Sequence, residues 1–259
     1  MLLPEKKQKA MNAIYAFCRK TDDIVDSEHE SKFVKQEKLD KWRDNFEKAL
    51  KGKSEYPNLN ELNYYIKEFN IPTEPFFDLI EAMEIDLNKN RYSTFDELKV
   101  YCYKAASTVG LMTIPILGYK NAKTKDYAIN LGIALQLTNI IRDVKTDALI
   151  NRVYIPQEDL QKFNYSEQEI FANTYNQNFI DLMQYQAQRA REFYKIANEN
   201  VSKEDKANLF TAKAMEYIYI RLLDKIEEEK YNVYQHKIKV SFLNKILISL
   251  LVWFKYKVI

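Results

Sequence analysis

Two pairs of aspartates have the spacing of side chains that bind one cation together. Asp22 and Asp26 are four residues apart, and Asp143 and Asp147 repeat that separation. On a helix, residues four apart project from the same face. Two like charges at this spacing repel by about 0.2–0.5 kcal/mol. A sequence that repeats such a pair therefore favours a cation between the two segments.

Further polar side chains extend both faces. Tyr15 and Arg19 lie on the face of the first pair, and Gln136 and Asn139 lie on that of the second. The residues around Gln136, Asn139 and Asp143 are apolar: Ile133, Ala134, Leu135, Leu137, Ile140 and Ile141. An unpaired polar group on a buried helix costs on the order of 2–7 kcal/mol. A ligand is therefore expected here, although either pair taken alone is better explained as ordinary surface acids.

The oxygen donors predict a hard cation. Mg²⁺, or Mn²⁺ in its place, prefers a few carboxylates together with water and substrate phosphate oxygens. Two aspartate helices facing each other across a cavity would hold Mg²⁺ and, through it, a diphosphate, whose departure the metal assists as a Lewis acid. Arg19, Lys20 and Arg142 would neutralise the remaining oxygens. The sequence has only two histidines, His29 and His236, and no glycine-rich phosphate loop.

The scarcity of turn residues predicts that helices position these groups. Four glycines and six prolines in 259 residues are too few for a sheet protein. Gly110 and Pro115 predict a kink in the central apolar segment. Hydrophobic spacing predicts helices over residues 4–26, 28–53, 59–69, 74–88, 98–117, 125–145, 166–200 and 203–231.

The bulk composition excludes several classes of protein. A hydrophobic content of 46% predicts a folded chain, and 39 basic against 37 acidic residues argue against a nucleic-acid partner. Two cysteines form no disulfide framework or zinc spacing, which favours the cytoplasm. No stretch reaches the roughly 18 apolar residues of a membrane span. Without repeats or linkers, residues 1–259 are predicted to form one domain, and nothing predicts its oligomeric state.

Three segments carry a family resemblance. They are residues 2–26, which include Asp22-Asp23-Ile24-Val25-Asp26, residues 101–110, which begin Tyr101-Cys102-Tyr103, and residues 136–156, which include Asn139-Ile140-Ile141-Arg142-Asp143. In this order and spacing they resemble the motifs of squalene and phytoene synthases, the head-to-head trans-isoprenyl diphosphate synthases. The resemblance implies an all-α isoprenoid-synthase bundle around a central apolar cavity, and a prenyltransferase activity.

The resemblance also implies a reaction. One allylic diphosphate ionises, the double bond of a second attacks the cation, and the resulting cyclopropylcarbinyl diphosphate rearranges to a linear product. Residues 108–112 and 136–140 favour phytoene from geranylgeranyl diphosphate, as in carotenoid biosynthesis. Farnesyl diphosphate, giving dehydrosqualene or presqualene diphosphate, is the alternative. The sequence contains no dinucleotide fingerprint, so NADPH is not expected.

Residue roles follow from the same resemblance. It implies that Asp22, Asp26, Asp143 and Asp147 are catalytic ligands of the metal–diphosphate cluster, with Asn139 as a further metal ligand. It implies that Tyr101 is catalytic, and it leaves His236 as a competitor for the C-terminal basic position. The diphosphate-binding residues that it implies are Arg19, Gln136, Asn139, Arg142, Tyr15, Tyr219, Lys237 and Asp86.

One departure from the family pattern keeps an alternative open. The family has an N-terminal helix ahead of the position of Leu3, and we expect this chain to lack it. A non-catalytic family member, acting as an assembly factor or lipid binder, is therefore the second hypothesis, although such members lose aspartates that this sequence keeps. The small residues from Ala105 to Gly110 fit either close helix packing or the approach of a ligand.

The last residues, 242–259, are apolar and flanked by lysines. They are too short to span a bilayer. We expect them either to lie on a membrane surface with the lysines among the headgroups, or to pack on the bundle as a final helix. The first arrangement would place the protein peripherally on the inner face of the membrane.

Overall fold

The computed structural model describes residues 3–27 and 30–257 of the chain. Helices make up the regular structure of these ranges, apart from one isolated β-bridge between Arg91 and Val153. The all-α fold class is therefore confirmed. The α-helices are α1 (Glu5–Asp26), α2 (Lys32–Leu50), α3 (Pro57–Glu68), α4 (Glu74–Asn88), α5 (Phe95–Cys102), α6 (Thr108–Leu117), α7 (Lys123–Leu149), α8 (Gln157–Lys162), α9 (Glu167–Phe171), α10 (Gln177–Glu199), α11 (Phe210–Glu228) and α12 (Phe242–Lys257).

The segment 98–117 differs from its prediction. A π-helical turn, Tyr103–Ser107, joins α5 to α6, and no separate break occurs at Pro115, which lies inside α6. This turn lies very close to α7, because a Cβ placed on Gly132 would be 2.4 Å from the Cα of Ser107. Gly110 likewise faces the backbone oxygen of Ala128 at 3.1 Å from a built Cβ. Close packing thus explains both glycines.

Residues 166–200 form two helices, and the prediction of a single long helix is wrong. After α9, Asn173 has a φ of +53°, a left-handed conformation that asparagine tolerates. Asn176 then caps α10 by accepting a hydrogen bond from the backbone N–H of Phe179 at 3.0 Å. The next helix also begins later than predicted, since α11 starts at Phe210.

Two hydrophobic clusters surround the centre of the molecule. One is built mainly on α7, α10 and α11, and the other on α1 to α4. The segment Phe95–Leu117 is long and apolar enough to cross a bilayer, which the sequence reasoning did not expect. It packs between α4 and α7, the position of a core helix in a globular bundle.

Candidate active site

The first aspartate pair lies in the last two turns of α1. Asp22 is half-buried and Asp26 is exposed. Burial, followed by the negative charge of Asp26, raises the pKa of Asp22 to about 6. Arg19 forms an exposed ion pair with Asp23 at 2.8 Å, and Tyr15 is exposed on the same helix. Within residues 3–27 and 30–257, no basic side chain forms an ion pair with Asp22 or Asp26.

The second pair lies in the last two turns of α7, and its members differ. Arg142 Nε donates to Asp143 Oδ1 at 2.9 Å, and Lys237 Nζ lies 2.9 Å from the same oxygen. Burial acts to raise the pKa of Asp143, but these two cations outweigh it and hold that pKa below its ordinary value. Burial and the charge of Asp143 raise the pKa of Asp147 to about 7. Asp147 is the carboxylate left for an added cation.

A fifth carboxylate, Asp86 of α4, connects the two pairs. The hydroxyl groups of Tyr101 and Tyr154 donate to its two oxygens at 2.9 and 2.8 Å. Arg152 Nη1 lies 4.0 Å from Asp86 Oδ2. Burial raises the pKa of Asp86 in spite of these partners. The structure therefore adds to the sequence prediction for Asp86 the two tyrosine hydroxyls that hold this buried acid.

The electrostatic coupling of the carboxylates indicates that they share one site. The negative charge of Asp86 contributes to raising the pKa of Asp22 on α1 and also that of Asp147 on α7. Asp26 in turn acts on both Asp86 and Arg152. Screening limits such interactions to short range. The structure thus gathers acidic groups from α1, α4 and α7 around Arg152.

The polar stripe of α7 contains an unpartnered atom. Asn139 Oδ1, one turn before Asp143, is buried and has no hydrogen-bond partner in the part of the chain that the structure describes. Gln136 is half-buried on the same face. Buried acceptors normally have a partner. The orphaned oxygen and the unpaired carboxylates suit Mg²⁺ bound together with phosphate oxygens. Among residues 3–27 and 30–257, no three acidic, histidine or cysteine side chains form a ready-made metal cage.

Lys237 and Tyr219 reach the same area from the C-terminal part of the chain. Lys237 contacts Asp143, whereas His236 Nε2 lies 3.1 Å from Glu229, so the two candidates for the basic position are separated. Burial acts to lower the pKa of Arg142, but its contacts with Asp143 and Tyr219 more than offset this. Tyr219 is thus a neighbour of the second aspartate pair.

Three stacked tyrosines form one wall of the site. The rings of Tyr101 and Tyr154 are 5.2 Å apart, and those of Tyr92 and Tyr154 are 5.8 Å apart, both nearly parallel. The sequence reasoning assigned no role to Tyr92, Arg152 or Tyr154. The signal was present, because Arg152 and Tyr154 follow the second aspartate segment directly. Their contacts with Asp86, however, bridge more than 60 residues.

An apolar cavity of about 330 Å³ runs along α7, the helix that carries the second aspartate pair. On α7 it begins at Leu135, beside Gln136 and one turn before Asn139. The walls come from α1, the π-helical turn, α6, α7 and α11. The lining residues are Met11, Ala106, Val109, Gly110, Thr113, Ile114, Leu117, Tyr127, Ala128, Leu131, Gly132, Leu135, Thr211, Ala212 and Met215.

Known proteins share both the sequence and this architecture. The sequence model of the squalene/phytoene synthase family matches residues 1–244. A chloroplastic phytoene synthase of Solanum lycopersicum is 38% identical over 253 residues, 95% of this chain and 61% of its own. The 15-cis-phytoene synthase of Synechococcus elongatus is 35% identical over 258 residues, 95% of this chain and 83% of its own. The chain thus spans less than two thirds of the tomato enzyme.

Two solved structures are similar over most of their length. A dehydrosqualene synthase in complex with ligand aligns with a TM-score of 0.86 and 28% identity, covering 100% of this chain and 90% of its own. A squalene synthase from Alicyclobacillus acidocaldarius aligns with a TM-score of 0.81 and 26% identity, covering 89% and 87%. The isoprenoid-synthase bundle predicted from the sequence is therefore confirmed.

Proposed function

Because this chain belongs to the squalene/phytoene synthase family, we propose that it condenses two molecules of geranylgeranyl diphosphate head to head, forming phytoene. The observation that carries the proposal is the cluster of acidic side chains from α1, α4 and α7 beside an apolar cavity. The polar cluster suits a diphosphate and the cavity suits its prenyl chain. Relatives named phytoene synthase support this choice of product.

The reaction breaks two carbon–oxygen bonds and needs no reductant. Ionisation of the first diphosphate leaves an allylic cation, which the double bond of the second molecule attacks with loss of a proton. The cyclopropylcarbinyl diphosphate then ionises and rearranges, and a second proton is lost to give phytoene. Two diphosphates and two protons are the other products. NADPH is therefore not required.

The acidic and basic residues of the site would have different roles in the reaction. Asp22, Asp26, Asn139 and Asp147 would hold Mg²⁺, which supplies Lewis-acid stabilisation of the departing diphosphate. Arg142 and Lys237, which neutralise Asp143 in the structure, are placed to transfer their hydrogen bonds to phosphate oxygens.

The rings of Tyr92, Tyr101 and Tyr154 would face the positive charge of the carbocation that forms when a diphosphate departs. Aromatic rings attract cations through their faces. Asp86 fixes the orientation of Tyr101 and Tyr154 through their hydroxyl groups. A fixed ring pair beside a cavity is suited to stabilise a carbocation without supplying a nucleophile.

A direct test is incubation of the purified chain with Mg²⁺ and geranylgeranyl diphosphate. We expect a C40 hydrocarbon in the organic extract, and none after treatment with a chelator. Farnesyl diphosphate, run in parallel, tests the alternative that the dehydrosqualene synthase structure favours. The absence of any hydrocarbon from either substrate would support a non-catalytic lipid-binding role instead.

We also propose that α12 lies on a membrane surface, which would place the protein at the inner face of a membrane. Leu243, Leu247 and Leu251 are exposed, whereas Val252 on the opposite side is buried. The ionisable groups of this helix are lysines and a tyrosine, without an acidic residue. An apolar face with a basic margin suits anionic lipid.

Vesicle binding tests this second proposal. Replacing Leu247 and Leu251 together by glutamate should abolish co-sedimentation with vesicles that contain anionic phospholipid. Leu149→Glu, at an exposed position on α7, is the matched control and should bind like the unaltered protein. Equal binding by all three proteins would exclude α12 as the lipid contact.

A further inference from the structure

Helix α7 ends in a turn that leads directly from Asp147 to Arg152. The backbone N–H of Arg152 donates to the carbonyl of Asp147 at 2.9 Å. The N–H of Asn151 donates to the carbonyl of Ala148, also at 2.9 Å, and Asn151 has a φ of +58°. These two bonds and the left-handed residue form a Schellman motif, where glycine is the usual residue. The turn therefore sets the path of the chain between a proposed metal ligand and a cation of the site.

The guanidinium group of Arg91 holds this turn. Its Nη1 donates to the backbone oxygen of Asn151 at 2.7 Å, and its Nη2 donates to Oδ1 of the same residue at 2.9 Å. Its Nε donates at 2.7 Å to Oε2 of Glu167, the first residue of α9. Its Cζ lies 5.6 Å from the centroid of the Phe171 ring at the end of α9. All three nitrogens of the planar fork are thus used to join the turn to α9.

The chain beyond the turn is paired with the segment that carries Arg91. Arg91 and Val153 form the isolated parallel β-bridge. The residues on either side of Val153 both reach Asp86. Arg152 Nη2 donates to the backbone oxygen of Asp86 at 3.3 Å, and the hydroxyl of Tyr154 donates to Asp86 Oδ1 at 2.8 Å. A shift of the turn would therefore move two side chains of the site together.

Arg91 itself lies outside the site. Within residues 3–27 and 30–257, its hydrogen bonds go to Asn90, Asn151 and Glu167, and none goes to the acidic cluster. The side chains of Arg91 and Glu167 are 22% and 26% exposed, and ion pairs that solvent reaches contribute little to stability. The fork is therefore better explained by the backbone conformation that it holds than by the ion pair alone.

We infer that Arg91 is a positioning residue of the active site, which holds Asn151 so that Asp147 and Arg152 are placed to bind Mg²⁺ and diphosphate. The inference rests on the proposed function and adds to it a residue outside the aspartate motifs. Loss of an outer contact of a metal ligand typically lowers metal affinity about 10–100-fold. Arg91 acts on the backbone next to the ligand rather than on its carboxylate, so we expect the lower end of this range.

The binding of inorganic pyrophosphate tests the inference without turnover. Pyrophosphate is titrated calorimetrically into the full chain at a fixed concentration of Mg²⁺. The decisive variant is Arg91→Lys, which keeps the positive charge but cannot reach both acceptors of Asn151 and the carboxylate of Glu167 at once. It should bind pyrophosphate about tenfold more weakly than the unaltered protein. An unchanged affinity would show that the fork is not needed, and would overturn the inference.

Two substitutions of Asn151 test the turn from its other side. Asn151→Ala loses the Oδ1 acceptor and keeps a Cβ in the left-handed conformation, so pyrophosphate affinity should fall about fivefold. Asn151→Gly keeps the backbone acceptor and adopts this conformation freely, so its affinity should stay within about twofold of the unaltered protein. Equal affinities of the two variants would contradict the role of the turn. If thermal unfolding shows that Arg91→Lys does not fold, this pair of variants decides the result.

The chain offers a matched control for the loss of a guanidinium fork. Arg191 lies on α10, and its Nη2 donates to Asp224 and Glu227 of α11, both at 2.7 Å. Arg191→Lys should leave the pyrophosphate affinity unchanged, whatever its effect on thermal stability. An equal loss of affinity in Arg191→Lys and Arg91→Lys would show a general effect of destabilisation and would overturn the inference.

Failure of the proposed function is a separate result. It would appear as binding of pyrophosphate by the unaltered protein with no hydrocarbon formed from geranylgeranyl or farnesyl diphosphate. The affinities of the Arg91 and Asn151 variants would still decide the role of Arg91 in that case. If the unaltered protein does not bind pyrophosphate with Mg²⁺, there is no site for Arg91 to position, and the inference is overturned.

Discussion

Asp143 and Asp147 lie one helical turn apart but have opposite electrostatic environments. Asp143 is neutralised by Arg142 and Lys237, whereas Asp147 has no cation in hydrogen-bonding contact among the described residues and has a raised pKa. In the absence of a ligand, the charge of Asp147 opposes folding. A group kept in such surroundings is expected to serve binding rather than stability.

Asp147→Asn should separate these two effects. The substitution removes an unfavourable charge and keeps the shape, so thermal stability should be unchanged or slightly higher. Hydrocarbon formation should fall by about 10²–10³, the effect of losing one electrostatic contact to a developing charge. Asp126→Asn, at an exposed position on the same helix, is the control and should keep full activity. A stable Asp147→Asn protein with normal turnover would contradict the assigned role.

Two buried tyrosines of the same wall should respond in opposite ways to loss of the hydroxyl. Tyr154 donates to Asp86, so Tyr154→Phe should reduce the free energy of unfolding by about 1.5–3 kcal/mol, the contribution of a hydrogen bond to a charged group. The hydroxyl of Tyr92 is buried and has no hydrogen-bond partner among the described residues, so Tyr92→Phe should be neutral or stabilising. Urea denaturation of both variants measures the difference. Equal losses of unfolding free energy in the two variants would show that the hydrogen bond to Asp86 does not cause the loss in Tyr154→Phe.

The loop between α10 and α11 is tied to the start of α7 by one carboxylate. Asp205 is fully buried and accepts hydrogen bonds from the backbone N–H groups of Lys120 and Asn121 at 2.7 and 3.0 Å, and from the Thr124 hydroxyl at 2.6 Å. Burial acts to raise the pKa of Asp205, but these donors hold it below its ordinary value. The loop therefore depends on the ionised form.

The stability that Asp205 contributes should depend on pH. A lowered pKa in the folded state stabilises the protein above the unfolded pKa of about 4, and this stabilisation is lost as the pH falls through the lower, folded value. Asp205→Asn should therefore cost about 1–3 kcal/mol at pH 7 and less at pH 3.5. Glu204→Gln, exposed in the same loop, is the control. A pH-independent loss in Asp205→Asn would contradict this account.

The contact between α7 and the π-helical turn requires a glycine. Alanine favours helix over glycine by about 1 kcal/mol. Gly132→Ala should nevertheless destabilise the protein by about 1–3 kcal/mol, because the added Cβ meets the backbone of Ser107. Lys125→Ala, exposed on α7, provides the comparison. Increased thermal stability of Gly132→Ala would show that α7 and the π-helical turn can move apart without any loss of stability.

Helices and aspartate pairs were predictable from the sequence because they depend on local spacing. The break at Asn173 was less predictable, since asparagine also occurs inside helices of this chain, as at Asn45 and Asn63. The partners of Asp86 were not predictable from spacing, because Tyr101 and Tyr154 are separated from it by 15 and 68 residues. Such contacts arise from the packing of the turn after α4 against the segment before α8.

Across the whole molecule, the apolar cavity is lined by residues from several helices, and on α7 its lining ends at Leu135, about two turns before Asp143. The family resemblance predicted a central apolar cavity but not its lining, because Met11 of α1 and Met215 of α11 reach the cavity from distant parts of the sequence. The charge of the site is likewise a property of the assembly, because the raised pKa values of Asp22 and Asp147 come partly from a carboxylate on another helix, Asp86 of α4.

Anomalous diffraction from crystals grown with Mn²⁺ and inorganic pyrophosphate would test the central claim most directly. Metal peaks are expected at about 2.0–2.3 Å from carboxylate oxygens of both pairs, Asp22 and Asp26 on one side and Asp147 on the other, with pyrophosphate between them. Peaks bound to only one helix, or pyrophosphate held by the cations of the site without metal, would contradict the account.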